Sequence, residues 1–393
     1  MPSRRTASFT ESVIRGMSRL AARHGAINLA QGFPDFPMPA AMKDAACSAI
    51  QGDINQYAIT WGSAPLRQAI AAKYRRRYGM EVDPELEITV TCGATEAAAA
   101  VFLALLDPGD EVLIFEPFYE NYGPDAVLSE ARPVYVPLDP VDWSLDVAAL
   151  RAAVTSRTRA VMLNSPHNPT GHVFSRAELE AIAAVCIDHD LMVITDDPYE
   201  YIVFEGEHIP IATLPGMRDR TVTISSLSKT FSCTGWRLGY AIAPAGYTEA
   251  IRKVHDFLTV GAPAPLQDAG AVGYGLGDDY YRSLRDDYRE RRTLLSTALV
   301  DAGFRLVTPA GAYYLFADFS ELSDLDDVAF ATWLTAEIGV ATVPGSSFYR
   351  PGSETGRRFV RFAFCKKLET LAAAVERLSQ LPHRALVERS VAR

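Results

Sequence analysis

The sequence that decides the fold is Ser226-Leu227-Ser228-Lys229-Thr230-Phe231-Ser232-Cys233-Thr234-Gly235-Trp236-Arg237-Leu238-Gly239. It follows an apolar run, Val222 to Ile224, which is typical of a buried strand. A lysine amine in this position can form a Schiff base with an aldehyde, and the nearby hydroxyls and arginine can bind a phosphate dianion. The pattern therefore indicates a phosphorylated aldehyde cofactor, whereas Ser-x-Ser-Lys alone would indicate only a surface lysine. The residues of this site are Ser226, Ser228, Lys229 and Arg237.

Two further segments carry a recognisable pattern, Ile27-Asn28-Leu29-Ala30-Gln31-Gly32-Phe33-Pro34-Asp35-Phe36-Pro37 and Asn164-Ser165-Pro166-His167-Asn168-Pro169-Thr170-Gly171. Together with the lysine segment they resemble class I/II aminotransferases of fold type I, in the branch of kynurenine aminotransferase, glutamine transaminase K and methionine aminotransferase. The resemblance covers nearly the whole chain and implies pyridoxal 5′-phosphate (PLP) as cofactor. It implies an α/β fold with a large doubly wound domain, mostly parallel in its sheet, at residues 39–285, and a smaller α+β domain at residues 1–38 and 286–393.

Composition excludes several other classes of protein. The chain has 393 residues, of which 48% are hydrophobic and 22% are charged, which is enough to bury a large core. A formal net charge of −10 without a long basic run argues against nucleic acid or an anionic membrane as a partner. The sequence shows no membrane-spanning or signal-peptide pattern, so we expect a cytoplasmic protein. Its five cysteines are scattered without a C-x-x-C pair, so we expect free thiols and no metal site.

Short apolar runs alternate with longer amphipathic stretches through the middle of the chain, which predicts alternating strands and helices. The predicted strands are Ile88 to Thr91, Val112 to Phe115, Ala160 to Leu163, Met192 to Thr195, Val222 to Ile224 and Gly239 to Ile242. A long charged helix, Asp279 to Ala302, and strands at Tyr313 to Ala317 and Arg358 to Phe364 indicate a second unit. We expect the reactive residues just beyond the carboxyl ends of the first set of strands, where open α/β sheets bind ligands.

A carboxylate is needed to keep the ring nitrogen of such a cofactor protonated, because the pyridinium withdraws the electrons released at Cα. Asp196 directly follows a predicted strand, and the resemblance maps the aspartate of the family onto it. Asp197 is the alternative for this role. The resemblance also implies that Tyr199 and Asn168 hydrogen-bond the phenolic oxygen of the cofactor, which lowers the pKa of the Schiff base.

Further donors are expected around the phosphate. Gly93, Ala94 and Thr95 lie between a predicted strand and a predicted helix, where backbone amides bind anions. The same geometry also serves an ordinary helix N-cap, so this segment alone would not indicate a site. Tyr57 resembles the tyrosine that reaches the phosphate of the neighbouring subunit in the family. The resemblance therefore implies a homodimer with shared active sites.

The resemblance also assigns the residues that hold the ring and the substrate. Tyr119 occupies the position of the aromatic residue that stacks on the cofactor ring, and Phe118 is the alternative. Arg361 alternates with apolar residues in a predicted strand and matches the arginine that binds the substrate carboxylate, for which a planar guanidinium is well suited. Gly32 and Asn168 complete the substrate site.

The implied reaction moves the amino group of an L-amino acid to a 2-oxo acid by a ping-pong mechanism through Lys229, with Asp196 and Tyr199 as the other catalytic residues. The aromatic residues available to line a pocket favour a large neutral donor, such as an aromatic amino acid, methionine or glutamine. These residues are Phe33, Tyr119, Tyr122, Tyr313 and Phe348.

Other reactions stay open. Cysteine-conjugate β-lyases and oxygen-using amino acid oxidases use the same cofactor residues, and the sequence does not choose among them. A non-catalytic PLP-binding regulator would need a DNA-binding module before Phe9, for which this sequence leaves no room.

Overall fold

The structure, a computed structural model, describes residue 7, residue 9 and residues 11–381. In this part of the chain the helices are α1 (Val13–His24), α2 (Ala40–Gln51), α3 (Ala64–Tyr78), α4 (Ala94–Leu105), α5 (Tyr122–Leu128), α6 (Val147–Ala153), α7 (Arg176–Asp188), α8 (Ala245–Thr259), α9 (Ala264–Tyr274), α10 (Asp278–Asp301), α11 (Asp327–Trp333) and α12 (Leu368–Leu378). The strands are β1 (Ile27–Asn28), β2 (Ile88–Thr91), β3 (Glu111–Glu116), β4 (Arg132–Pro137), β5 (Thr158–Asn164), β6 (Met192–Asp196), β7 (Thr221–Ser226), β8 (Gly239–Ile242), β9 (Arg305–Leu306), β10 (Tyr314–Asp318), β11 (Val340–Ala341), β12 (Val343–Pro344) and β13 (Phe359–Ala363).

A seven-stranded sheet with the strand order β2-β8-β7-β6-β5-β3-β4 forms the centre of the structure. Every neighbouring pair from β7 to β4 is parallel, whereas β8 runs antiparallel to both β7 and β2. Strands β2, β3, β7 and β8 are buried along their whole length. Such strands carry nearly continuous apolar sequences because helices cover both faces of the sheet.

Alternate residues of β3 show how both faces are covered. Val112 and Ile114 pack in one hydrophobic cluster with α4 and α8, and Leu113 and Phe115 pack in another with α6 and α7. This two-sided burial is the doubly wound arrangement that the sequence predicts. The predicted α/β fold class is therefore confirmed.

The rest of the chain builds a smaller four-stranded antiparallel sheet, with the strand order β12-β13-β10-β9. A two-residue parallel pair joins β1 to β11. The predicted division into domains remains a prediction, and its terminal residues 1–6, 8, 10 and 382–393 lie outside the described residues. No helix in residues 11–381 is long and apolar enough to cross a membrane.

The two sheets bring together the residues of the predicted site. Asn164 and Asp196 are register partners at the carboxyl ends of β5 and β6, and Ser226 pairs with Gly239 at the end of β7. Arg361 lies in the middle of β13, opposite Phe316 of β10. The carboxyl edge of the large sheet thus supplies most of the polar groups, and the small sheet supplies one cation.

A buried ion pair between Lys73 and Glu200 ties α3 to the segment that follows β6. The Lys73 amine also donates to the Tyr240 hydroxyl at 2.7 Å, and the Tyr78 hydroxyl donates to the second carboxylate oxygen of Glu200 at 2.6 Å. Ser225 adds a third donor to the carboxylate at 3.1 Å. The pair is thus fully hydrogen-bonded, which a buried ion pair needs to offset the loss of hydration.

Replacing Lys73 by Met should destabilise the protein by about 3–5 kcal/mol, because Glu200 would stay buried without its cation. The double variant Lys73→Met with Glu200→Gln should recover most of that loss. Urea unfolding measures both changes, with Lys43→Met, an exposed lysine of α2, as the matched control. A single variant as stable as the wild type would show that the pair does not hold α3 in place.

Candidate active site

A cavity of about 1180 Å³ opens at the carboxyl edge of the seven-stranded sheet. Its wall contains residues from both sheets, and it includes all but two of the predicted site residues. Those in the wall are Gly32, Ala94, Thr95, Tyr119, Asn168, Asp196, Tyr199, Ser226, Ser228, Lys229, Arg237 and Arg361. Gly93 lies directly behind Arg237. Tyr57 is 87% exposed and lies outside this cavity, in a small pocket next to α9.

The Lys229 amine, the predicted reactive group, lines the cavity. Its Nζ donates to the backbone carbonyl of Gly32 at 3.3 Å and lies 5.9 Å from the ring centre of Tyr313. Burial, together with the charges of Arg237 and Arg361, lowers the pKa of Lys229 to about 8. Asp196 opposes this shift. A substantial fraction of the amine is therefore neutral near pH 8, as a nucleophile or base requires.

Asp196 ends β6 with its carboxylate buried in the cavity wall. One oxygen, Oδ2, accepts a hydrogen bond from the Tyr122 hydroxyl at 2.8 Å. The other, Oδ1, is buried without a hydrogen-bond partner among the described residues. Burial raises the pKa of Asp196 to about 6, although the Tyr122 hydrogen bond and the charge of Lys229 lower it. The free oxygen is thus available to a donor that the chain itself does not provide.

The carboxylate of Asp197, the alternative to Asp196, does not face the cavity. Its carboxylate accepts from the Thr195 hydroxyl at 3.0 Å and lies 3.6 Å from His208, behind the cavity wall. Adjacent residues at the end of a strand face opposite sides of the sheet, which separates the two aspartates. The geometry thus supports Asp196, and not Asp197, as the residue that faces a ligand.

Asn164 and Tyr122 hold Asp196 and the residues around it, although the sequence predicts this role for neither. Asn164 donates to the backbone carbonyl of Asp196 at 2.5 Å and accepts from the backbone amide of Asn168 at 2.7 Å. Tyr122, which the sequence offered only as a pocket aromatic, makes the direct contact with the carboxylate. Asn164 had one sequence signal, its position directly after a predicted strand, whereas nothing in the sequence connects Tyr122 with Asp196.

An anion cradle forms where β8 passes the start of α4. Arg237 has a left-handed backbone (φ 53°), and its Nη2 donates to the carbonyl of Cys92 at 3.4 Å. Gly93 is also left-handed (φ 84°), and a Cβ there would lie 2.4 Å from the Arg237 guanidinium. A Cβ on Gly239 would lie 2.4 Å from the backbone nitrogen of Ala94. Glycine at both positions lets the arginine and the helix amides converge, which suits a phosphate.

The Arg361 guanidinium is 1% exposed and has only neutral hydrogen-bond partners among the described residues. Its Nη1 donates to the Asn168 side chain at 2.8 Å, and its Nη2 donates to the carbonyl of Ala30 at 2.8 Å. It lies 4.2 Å from the ring centre of Tyr314 and 4.8 Å from that of Phe348. Because no carboxylate neutralises it, the cavity keeps a positive charge that an anionic ligand can balance.

The aromatic residues divide between wall and core. Tyr119 is partly exposed in the cavity, whereas Phe118 is buried and stacks on Tyr135 with ring centres 5.0 Å apart. Tyr313 and Phe348 are fully buried, so the expectation that they line the pocket is wrong. That prediction rests on residue type alone, and the sequence does not show which side chains of these segments face a cavity.

Tyr199 and Tyr314 form a hydroxyl pair, 2.9 Å apart, in the wall next to Arg361. Burial raises the pKa of Tyr199 well above its usual value, so its phenol stays protonated and can donate. Gly32 has to be glycine here, since a Cβ would lie 2.2 Å from the Tyr314 hydroxyl. The small sheet and the β1 segment thus close the cavity against the large sheet.

Residues 24–378 match the family described as aminotransferase class I and II. The chain belongs to this family. It is 45% identical over 386 residues to a probable N-succinyldiaminopimelate aminotransferase of Mycobacterium tuberculosis, which covers 96% of this chain and 97% of that relative. The solved structure of the M. tuberculosis N-succinyldiaminopimelate aminotransferase superposes with a TM-score of 0.94 over 97% of this chain and 100% of that one.

Other relatives act on different donors. The methionine aminotransferase of Escherichia coli is 40% identical over 382 residues, 97% of each chain, and a solved E. coli structure of that function superposes with a TM-score of 0.93, covering 97% of this chain and 100% of that one. Human kynurenine–oxoglutarate transaminase 1 is 37% identical over 393 residues, which covers 92% of this chain and 93% of that enzyme. This chain is therefore an aminotransferase, and like its family it depends on PLP.

The cavity fits this cofactor. The buried Oδ1 of Asp196 lacks a donor, and a pyridinium nitrogen is a suitable one. The cradle between Gly93 and Arg237 suits the phosphate, because a Cβ would fill the space in which the arginine lies. The partly neutral amine of Lys229 suits the aldehyde.

Replacing Tyr122 by Phe should weaken PLP affinity by about 10-fold, because Asp196 would lose the hydrogen bond that stabilises its ionised form. Equilibrium dialysis of the protein against PLP measures the affinity. Tyr247→Phe, a tyrosine of α8 outside the cavity, is the matched control. Equal affinity in the wild type and Tyr122→Phe would mean that the hydroxyl does not support the carboxylate.

Proposed function

We propose that this chain is a cytoplasmic, homodimeric enzyme that moves the amino group of a large neutral L-amino acid to a 2-oxo acid. The observation that carries this proposal is the arrangement of Lys229 and Arg361. A partly neutral amine and a buried guanidinium without a carboxylate partner face one cavity. The first suits a base near Cα, and the second suits an α-carboxylate. The free state of all five cysteines supports a reducing compartment.

PLP, when bound, supplies an aldehyde for amino groups and an electron-withdrawing ring that stabilises negative charge at Cα. Asp196 would hold the ring nitrogen, and Tyr199 and Asn168 would hold the phenolic oxygen. Tyr119 is the proposed stacking partner of the ring, because Phe118 already stacks on Tyr135. The residues proposed for the phosphate are Gly93, Ala94, Thr95, Ser226, Ser228 and Arg237, with Tyr57 from a second subunit.

The side chain of Lys229 has two roles in the proposal, at different times. It would hold the cofactor between turnovers, and its Nζ, when free, would take the proton from Cα of the amino acid. A pKa near 8 suits the second role, because a base is most effective when its pKa lies near the working pH. Such a positioned base typically contributes about 10²–10⁴-fold to the rate.

Arg361 fixes the orientation of the substrate in this proposal. Its two terminal nitrogens already contact Asn168 and the carbonyl of Ala30, which holds the guanidinium plane in place. A carboxylate that binds to this plane has one orientation, so the bond from Cα to hydrogen points reproducibly towards Lys229.

Replacing Arg361 by Lys should raise the KM for the amino donor by about 10–100-fold, because an ammonium cannot form the paired hydrogen bonds of a guanidinium. Steady-state kinetics with saturating oxo acid measures this change. Arg358→Lys, directly before the same strand and about half exposed beside Asp318, is the control. An unchanged KM in Arg361→Lys would exclude Arg361 as the carboxylate-binding residue.

A second class of donor is supported by Arg15 of α1, which lines the mouth of the cavity. Glu11, the acid beside it, pairs with Arg19, and no ion pair engages Arg15 among the described residues. A free cation there suits a donor with a distal carboxylate. Two relatives point to different donors, since one is a probable N-succinyldiaminopimelate aminotransferase and another is a methionine aminotransferase.

A panel of donors with 2-oxoglutarate as the acceptor tests the proposed function. The panel contains methionine, glutamine, phenylalanine, kynurenine and N-succinyldiaminopimelate, and product oxo acid and released ammonia are both measured. Highest kcat/KM with a neutral donor supports the first proposal, and highest kcat/KM with the succinylated donor supports the second. Ammonia without glutamate formation would contradict transamination and indicate elimination or oxidation.

An exposed apolar patch next to the phosphate cradle supports the homodimer. Phe257 is 92% exposed, Tyr57 is 87% exposed and Ile59 is 52% exposed. A hydrogen bond between Thr60 and Asp256, 3.4 Å long, joins the two segments of the patch. Large exposed aromatic residues clustered in this way are typical of protein interfaces. A second copy packed here would bring its own Tyr57 near the cavity.

Replacing Phe257 by Asp should convert the dimer to monomers and weaken PLP binding, because the charge would be buried in the interface and Tyr57 of the partner subunit would be lost from the phosphate. Sedimentation equilibrium and PLP dialysis measure the two effects. Val141→Asp, a 76% exposed residue away from the patch, is the control. A Phe257→Asp protein that stays dimeric would place the interface elsewhere.

A further inference from the structure

One buried acid in the cavity has no role in the proposed reaction. Asp125 lies on α5, three residues after Tyr122, and its side chain lines the same cavity as Asp196. The residue is 6% exposed, and its Oδ2 is buried without a hydrogen-bond partner among the described residues. An ionised carboxylate in such a place would be costly, because burial removes its hydration and Oδ2 has no hydrogen-bond donor among the described residues.

Asp125 and Asp196 line the same cavity, and the charge of Asp196 acts on Asp125. Burial, together with the charge of Asp196, raises the pKa of Asp125 to about 7. Asp196 is different, since the Tyr122 hydroxyl and the charge of Lys229 both favour its ionised form. Of two carboxyl groups that cannot easily both ionise, the one with these partners holds the negative charge.

Among the described residues, the elements packed against α5 turn no charged side chain towards Asp125. Helix α5 packs against α4 and β4. On the cavity side α4 presents Thr95 and Ala98, and β4 presents Tyr135, whose pKa burial raises to about 12. Glu96 of α4 is turned away, towards the amide of Cys92 and His255. The charge that acts on Asp125 is therefore that of Asp196.

We propose that Asp125 is a positioning residue that carries the proton of this carboxyl pair, so that Asp196 is the ionised member and stays available to the ring nitrogen of the cofactor. The proposal rests on the proposed role of Asp196. Above neutral pH, Asp125 loses its proton and adds a second negative charge to the pocket. This charge favours protonated forms of the bound cofactor, so Asp125 tunes the pH range in which the site works.

The pH dependence of the visible absorption band of the PLP-loaded enzyme, without substrate, tests this directly. In Asp125→Asn the side-chain amide has the shape of the carboxyl group but cannot ionise. The pH at the midpoint of the change in the visible band should therefore fall by about 0.5–1 unit. Asp301→Asn, an exposed aspartate at the end of α10, should leave the midpoint unchanged. A normal band with an unchanged midpoint in Asp125→Asn would overturn the tuning role.

Thermal unfolding of the same proteins, each measured with and without added PLP, gives an independent test. An aspartate whose pKa rises on folding holds its proton more tightly in the folded state, so it makes the protein less stable as the pH rises from about 4 to about 7. The Tm of Asp125→Asn relative to wild type should therefore increase across this window. A constant difference in Tm would show that Asp125 does not carry the proton.

The two measurements separate this inference from the proposed function. If the wild type forms no visible band with PLP, the assignments of Lys229 and Asp196 fail, and the unfolding comparison still decides the protonation of Asp125. If the wild type forms the band but Asp125→Asn has the same pH midpoint and the same change of Tm with pH as the wild type, the inference about Asp125 fails. The proposed function then stands.

Discussion

The rest of the site depends on one constraint, which is that the cavity buries charged side chains whose positive and negative charges do not balance. Lys229 and the buried Arg361 bring positive charge to the cavity, opposite the buried carboxylate of Asp196, which accepts a hydrogen bond from Tyr122, and the exposed Arg237 adds a further cation. A protein interior does not tolerate such a surplus unless a ligand balances it. A phosphate dianion and a substrate carboxylate would supply that balance, and the same burial lowers the pKa of Lys229 to about 8.

The fold produces this arrangement through the ends of its strands. Parallel strands β5, β6 and β7 deliver Asn164, Asp196 and Ser226 to one edge, and the reversed strand β8 returns the chain so that Arg237 meets the start of α4. The small sheet then places Arg361 across the cavity. Because two separate sheets share the site, small displacements between them would change the distance from base to substrate.

Much of this could be predicted from the sequence. The strands β2 and β8 have the predicted bounds, since both are short apolar runs with clear ends. Strand β4 (Arg132–Pro137) was missed, because it lies at the sheet edge, is half exposed and contains two prolines, which removes the apolar pattern. Strand prediction therefore succeeded where the strand is fully buried, which includes β2 at the other edge of the sheet, and failed where it is half exposed.

Side-chain direction is what the sequence could not provide. Asp196 and Asp197 are equivalent as neighbours in sequence, and the fold turns one to the cavity and the other to Thr195 and His208. Tyr313 and Tyr314 show the same limit, since the predicted Tyr313 is in the core and Tyr314 lines the cavity. Likewise, the contact between Tyr122 and Asp196 joins residues that are distant in sequence.

The central claim is that Lys229 is the residue that bonds the cofactor, and covalent trapping tests it most directly. Borohydride reduction of the PLP-loaded enzyme, followed by peptide mass spectrometry, locates the modified lysine. Lys366 is the natural competitor, because it is buried nearby and its amine donates to the carbonyl of Phe33 at 2.8 Å. The account predicts the label on Lys229 alone. A label on Lys366, or none on Lys229, would contradict it.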